Sequence, residues 1–298
     1  MTLQKNTPPQ QPHVPVLFDA VLDALQPKNG ESYLDLTAGY GGHASAIIDK
    51  TAAPEKAVLV DQDSNAVAHL QKKYTGTGVT IRHEDYGTAV ADLKRMGQEF
   101  DMILMDLGVS SPQFDIASRG FSLQHNGPLD MRMDNRSQRT ADELVNKLSE
   151  RELMNLLVRY GEEPKARRIA SAIVRSRPIH TTLELANVVS SANGRRTWSK
   201  THPATRTFQA LRIAVNDELG QLESTLKLLP DLLSSGGRLA IISFHSLEDR
   251  RVKQFLREFA GLTYDAKLQE LTKRPIAGTD DVHNPRARSA KLRAAVKK

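Results

Sequence analysis

A chain of 298 residues with 39% hydrophobic and 26% charged side chains can bury one large core or two modest ones, and its composition is ordinary for a soluble globular protein. It has no cysteine, which excludes disulfides, thiolate metal sites and every mechanism that needs a thiol nucleophile. The net charge of +6 is uneven: 9 Lys+Arg stand against 14 Asp+Glu in residues 1–111, 17 against 10 in 112–212, and 15 against 11 in 213–298, so either a small-ligand half precedes a polyanion-facing half, or the arginines merely solvate helix faces.

The opening MTLQKNTPPQQP is polar and proline-rich and reads as a disordered lead-in over 1–12, not a signal peptide. No apolar run approaches a membrane span, so a cytoplasmic protein with no membrane partner is expected. Over the next hundred residues, short apolar runs at 33–36, 57–61, 79–83 and 102–106 predict strands. The stretches 44–50, 63–74 and 87–97 between them have helical period. That alternation predicts a parallel sheet with crossover helices.

The first strand runs into the turn LDLTAGYGGHA. Gly39, Gly41 and Ala44 satisfy G-x-G-x-x-A, and Asp61 ends the next strand 22 residues after Gly39. Alone this is a weak dinucleotide fingerprint. Asp35 and Asp106, however, place carboxylates at the mouth of the same crevice, where they would repel a pyrophosphate by about 4 kcal/mol per pair near 4 Å at a dielectric of about 20. S-adenosylmethionine has the opposite needs. Its sulfonium and ammonium welcome Asp35 or Asp106, its carboxylate suits the helix N-terminus near His43, its ribose suits Asp61, and Tyr86 is placed for the adenine. His43 in a first helical turn is either a cap or a ligand contact.

After Asp106 comes LGVSSPQF. Ser111, Pro112, Gln113 and Phe114 echo the polar-Pro-Pro-aromatic element of exocyclic-amino methyltransferases, in which acceptors on the N–H bonds localise a lone pair otherwise spread into the ring. The Ser111 carbonyl is a candidate acceptor, and a plain turn leaving the sheet is the other reading. Methylation at cytosine C5 needs a cysteine adduct that this chain cannot make, which leaves nitrogen or ribose oxygen.

From 112 to 203 no alternating strand pattern appears. Three capping boxes do, Thr140 with Glu143, Ser149 with Glu152, and Thr181 with Glu184, so a helical domain is expected there, punctuated by loops at 119–134 and 192–203. Phe121, Met131 and Met133 beside Arg119, Arg132 and Arg136 combine stacking with phosphate contact, or are core filler. Apolar residues at 208, 211, 215, 219, 222, 226 and 229 predict one long helix with Pro230 near its end. Gly236 and Gly237 make a turn, 238–244 is a buried strand, and Ser246 with Asp249 opens a helix through about 259. His245 either lines the acceptor pocket or caps that helix. The tail NPRARSAKLRAAVKK can hold a last edge strand. No metal-ligand spacing is present.

Seven stretches together resemble the bacterial 16S ribosomal RNA (cytosine N4) methyltransferase family: GGH at 41–43, MDLGVSSPQ at 105–113, RGFS at 119–122, GPLDMRMD at 127–134, HPATRTFQALR at 202–212, ISFHSLEDR at 242–250 and NPRARS at 284–289. They run in family order over nearly the whole chain. The resemblance implies an α/β fold: a class I (Rossmann-like) S-adenosylmethionine-dependent methyltransferase sheet over 13–111 and 204–298, with a helical substrate-recognition insertion over 112–203. It implies methyl transfer from S-adenosyl-L-methionine to N4 of a P-site cytosine in the decoding centre of 16S rRNA, expected at position 1402 of that RNA. The implied partner is that rRNA within the small ribosomal subunit, and a homodimer is compatible with it. By position, the family's cofactor contacts fall on Gly41, Gly42, His43, Asp61, Tyr86, Asp106 and Gln113. Asp106 and Ser111 are the catalytic candidates. Tyr86 stands where other members have phenylalanine, Ala38 and Tyr40 vary the glycine turn, and 260–283 is shorter than in some members. The rival readings are an RNA-binding ribosome-assembly factor that senses the cofactor, a DNA amino-methyltransferase and a nicotinamide dehydrogenase.

Overall fold

The computed structural model describes residues 15–194, 201–261, 266–281 and 284–298; the lead-in over 1–12 and residues 195–200 of the expected 192–203 loop lie outside the described residues. The chain begins with α1 (Phe18–Leu25), β1 (Tyr33–Asp35), α2 (Gly42–Thr51), β2 (Ala57–Asp61), α3 (Ser64–Lys73), β3 (Thr80–His83), α4 (Tyr86–Arg95) and β4 (Phe100–Asp106). Each expected strand and helix of this half is present, with ends displaced by a few residues at most.

Then come α5 (Ser111–Asp115), α6 (Ala141–Lys147), α7 (Glu150–Gly161), α8 (Ala166–Arg175), α9 (Thr182–Asn193), α10 (Thr205–Asn216), α11 (Glu218–Leu226) and α12 (Leu229–Leu232). The chain closes with β5 (Leu233–Ser243), α13 (Ser246–Phe259), β6 (Leu268–Glu270), β7 (Ile276–Ala277) and β8 (Lys291–Lys297).

The sheet order is β3-β2-β1-β4-β5-β8-β6, with β7 also on β8; β1 to β5 are parallel and β8 is antiparallel to its neighbours. Side chains alternate between two covered faces, which is why these strands read as continuous apolar runs. Leu34, Ile103 and Met105 pack with Val90 and Leu93 of α4, Leu222 of α11 and Phe255 of α13. Tyr33, Met102 and Leu104 pack with Val21 of α1, Ile47 of α2 and Leu70 of α3. The order of strand addition reverses between the parallel neighbours β1 and β4, where Asp35 pairs with Leu104. A crevice opens beyond the strand ends at that switch, the usual ligand position in open α/β sheets.

A second core runs from Phe121 to Val215 and draws on α6 to α10. Its helices start where local chemistry directs. Ser149 with Glu152 and Thr181 with Glu184 form full capping boxes, and Thr140 accepts the Glu143 amide. The loop at 119–134 is tightly folded: Gly120 has φ +74°, and a Cβ there would lie 2.2 Å from the Pro128 carbonyl oxygen. Gly120→Ala is therefore expected to destabilise the protein by about 3 kcal/mol, from left-handed strain plus overpacking against rigid backbone. Chemical denaturation measures it, and a shift below about 1 kcal/mol would show that the loop yields freely.

Four expectations are corrected. The long helix is three: Asp217 takes a left-handed conformation (φ 47°, ψ 38°) between α10 and α11, and Leu229 and Pro230 fall on the short α12. The apolar spacing continues across the break because Phe208, Leu211 and Val215 serve the helical core whereas Leu222 and Leu226 serve the sheet. The tail strand is not an edge, since β8 lies between β5 and the short strands β6 and β7. The Gly236 turn is absorbed into β5 as a register jump: Leu233 pairs with Phe100, but Arg238 pairs with Met102. Finally, the capping box of α13 sits one residue earlier than expected, on His245 and Glu248.

Candidate functional site

The turn after β1 is shaped by hydrogen bonds to neighbouring strands. The Leu36 amide donates to Leu104 and the Ala38 amide to Val60. Gly39 (φ +52°) and Gly41 (φ +75°) take left-handed conformations that favour glycine, and a Cβ on Gly41 would press on Leu70 Cδ2 at 3.0 Å. Gly41 is the N-cap of α2, so the first-turn amides of Gly42 and His43 point out of the helix end, ready for an anionic group.

Three carboxylates stand at the strand ends, in different states. Asp61, at the end of β2, accepts the Gly39 amide on Oδ2 (2.7 Å) and the Asp63 amide on Oδ1 (2.8 Å). Burial lifts it to about 6 against the pull of those donors. Asp35 is corrected: it does not face the crevice. Only 2% exposed, it accepts the Tyr33 hydroxyl (2.7 Å) and the Thr37 amide (3.1 Å), and burial raises it to about 7.

Asp106 is the open one. Its amide donates to Thr37 Oγ1 (2.6 Å), which pins the end of β4 to the turn, and 27% of its side chain is accessible. Its Oδ1 is nonetheless out of water with no partner. Burial, with the Asp35 and Glu248 carboxylates, raises it to about 8. His43 Nε2 lies 3.8 Å from Asp106 Oδ2, beyond hydrogen-bond reach. Both nitrogens of the His43 ring lack a hydrogen-bond partner, the ring stacks on Phe18 with centroids 6.1 Å apart, and burial pushes it down to about 4. A buried carboxylate oxygen and a buried neutral imidazole, both unsatisfied, need an outside partner.

Tyr86 opens α4 beyond β3. Its ring packs partly against the sheet core, and its hydroxyl donates to the Glu218 carbonyl (3.1 Å). Gln113 is held from two sides: its Oε1 accepts the Ser110 amide and its Nε2 donates to Asp63 Oδ2, both at 2.9 Å. Ser111 is the first residue of α5; its side chain lies outside the described residues. Phe121, Met131 and Met133 are core, the second of their two readings. Their arginines are engaged within the fold: Arg132 with Asp130, Arg136 with Asp134, and Arg119 with Asp63. The nearly buried Arg119 therefore holds the loop, while Arg132 and Arg136 pair within it with side chains still partly exposed.

Two clusters were not anticipated. Asp63 accepts the Asn65 amide as the cap of α3, then Gln113 Nε2 and Arg119 Nη1 (2.6 Å); Arg119 Nη2 in turn donates to the Arg132 and Met133 carbonyls. Asp63 precedes a helix, so its capping role was legible, but its distant partners were not. The second cluster is Arg212, Glu218, His245 and Glu248. Arg212 donates twice to Glu218 at 2.8 Å, and Glu248 accepts the Phe244 amide (2.7 Å) and lies 3.2 Å from His245 Nε2. Glu218, His245 and Glu248 bring three ligand atoms within 4.8 Å of one another. Arg212 offsets one of the two glutamate charges, and His245 Nε2 is buried without a hydrogen-bond partner.

Residues 10–298 match the sequence profile of the MraW methylase family. Among curated relatives, ribosomal RNA small subunit methyltransferase H of Cyanothece sp. is 49% identical over 290 residues, covering 96% of this chain and 95% of that protein. The protein of the same name from Acidobacterium capsulatum is 46% identical over 296 residues, covering 96% and 98%. Among solved structures, an rRNA methylase from Streptococcus thermophilus aligns over 94% of this chain and 93% of its own at 10% identity, with a TM-score of 0.43.

Proposed function

Because the chain belongs to the MraW methylase family, we propose that the crevice at the β1–β4 switch transfers a methyl group from S-adenosylmethionine to the exocyclic N4 of a decoding-centre cytosine in small-subunit (16S) ribosomal RNA. The relatives' shared name, ribosomal RNA small subunit methyltransferase H, supports the RNA and the subunit. The observation that carries the reading on chemical grounds is the unpaired, buried Oδ1 of Asp106 beside a glycine turn and the strand-end carboxylate of Asp61. Such a pocket favours a cationic ligand over a pyrophosphate.

The protein is an S-adenosylmethionine-dependent methyltransferase with a class I sheet, and its residues fit that cofactor. Gly42 and His43, just past the Gly41 cap, offer helix-end amides for its carboxylate. Asp61 keeps lone pairs free for ribose hydroxyls, Tyr86 at the start of α4 is assigned to the adenine, and Gln113 buttresses this side through Asp63. When bound, S-adenosylmethionine supplies an electrophilic methyl group on a sulfonium. The chain's part is to strip the amino group of water, aim it, and accept hydrogen bonds from its N–H. Asp106 and the Ser111 carbonyl are the acceptors assigned to that task, with Asp106 the group able to hold the released proton. The segment 112–203 is assigned as the unit that recognises the RNA, and the cytoplasm as the compartment. Among the described residues no helix is long and apolar enough to cross a membrane.

The test is nucleoside mass mapping of small-subunit RNA from cells lacking this protein. One N4-methylcytidine should lose its N4 methyl group and regain it when purified protein and S-adenosylmethionine are added to isolated small subunits. An unchanged N4-methylcytidine signal in those cells would refute the reading.

A further inference from the structure

Between residues 164 and 216 the chain carries ten Lys and Arg against one acid, Glu184. Several of these cations hold the fold. Lys165 donates to the Asn193 carbonyl, Arg177 to Val145 and Leu148, Arg206 to Glu162, and Arg212 pairs with Glu218. Arg167, Arg168 and Arg175 do none of this. They are exposed on α8 and make no hydrogen bond or ion pair among the described residues. The opposite face of α8 anchors the helix, with Ala166, Ile169, Ala170 and Ile173 buried in the helical core.

Arg168 and Arg175 share one cleft between α8 and α9, of about 460 Å³, with Ser176, Asn187 and Ser191 also on its walls. Seven residues apart, they lie two helical turns from each other, about 10 Å along the axis. Two guanidinium forks so spaced in one cleft, with hydroxyl and amide donors between them and no carboxylate on the walls, suit two nearby phosphates of one strand. A merely solvated helix face would interleave both signs of charge.

We propose that the cleft between α8 and α9 docks the sugar-phosphate backbone of the RNA substrate, with Arg168 and Arg175 as its phosphate contacts. This rests on the ribosomal-RNA reading above and names where the helical segment grips that RNA. The grip carries no sequence information; it fixes the register in which the target base is offered to the crevice.

The test uses the full-length protein and its Arg168→Ala, Arg175→Ala double variant, titrated with a labelled small-subunit RNA transcript between about 50 and about 250 mM KCl. Affinity is expected to fall about tenfold at the lower end, and the slope of log affinity against log salt to become shallower by about 1 to 2. S-adenosylmethionine affinity and the thermal midpoint should match the parent, as both side chains are exposed. An unchanged slope overturns the assignment, whether affinity is retained or lost. So does polyglutamate competing as well as polyuridylate at equal charge, since the cleft would then take any polyanion. A parent protein that binds this RNA but transfers no methyl group to isolated small subunits would instead defeat the proposed function, leaving the slope comparison to judge the cleft alone.

Discussion

Asp106→Ala is expected to lower methyl transfer at least about a thousandfold, near 4 kcal/mol of barrier, as removal of a preorganised polar group from a dry site does. The residue combines an accessible side chain with a buried, partnerless oxygen at the end of β4. The pH dependence gives an independent readout. With its carboxyl at about 8, Asp106 holds a proton at neutral pH while the crevice contains no cation. A cationic ligand favours the ionised form, so binding lowers this pKa and expels the proton. Affinity for S-adenosylmethionine should therefore climb from about pH 6 to about pH 8 and level off above, with a slope of at most about tenfold per unit for this one group. Calorimetry in buffers of different ionisation enthalpy counts the protons released. S-adenosylhomocysteine, which lacks the sulfonium charge, should release fewer, and Asp106→Asn should flatten the upper part of the rise. Near-parental activity in the alanine variant, or a flat affinity profile in the parent, would remove Asp106 from the proposed role.

Asp63→Ala should produce the largest loss of stability. Among the described residues Asp63 is the only acid paired with the nearly buried Arg119, and stranding such a charge costs about 3–5 kcal/mol. Loss of the α3 cap adds about 1 kcal/mol. Against a total stability of about 5–15 kcal/mol, the thermal midpoint should fall by about 10 °C. Replacing both partners with neutral residues, Asp63→Asn with Arg119→Met, should recover much of the loss, because no bare charge is left inside. Scanning calorimetry of the two singles and the double decides it: a shift below about 2 °C for Asp63→Ala means the pair is relaxed or wetted. Hydrogen exchange should also rise first in the 119–134 loop, which Arg119 ties down through the Arg132 and Met133 carbonyls.

Features that depend on near neighbours in the chain were legible beforehand. The strands β1 to β4, the left-handed glycines Gly39 and Gly41, and the boxes at Ser149 and Thr181 each express a pattern contained within a few residues. The positions of Asp61 and Asp106 at strand ends followed from the same patterns. Polar pairing over long separations did not. Nothing near Asp35 announces that the Tyr33 hydroxyl folds back to close it off from the crevice. Nothing in 119–134 says that Arg119 reaches across to Asp63. The cap of α13 slipped by one residue because histidine, outside the usual capping set, took the place of the serine beside it. The break at Asp217 escaped periodicity for a different reason: the apolar stripe is continuous, and only the core it faces changes.

That break has a mechanical corollary. The residue after Asp217 is Glu218, whose carbonyl anchors the Tyr86 hydroxyl and whose carboxylate clasps Arg212 on α10. The elbow between α10 and α11 thus makes Glu218 one direct tie between the helical core and the ring of Tyr86. In the function proposed above, a tilt of that lobe under a load of RNA would bear on the ring of Tyr86 through this residue, linking the grip on one ligand to the seating of the other.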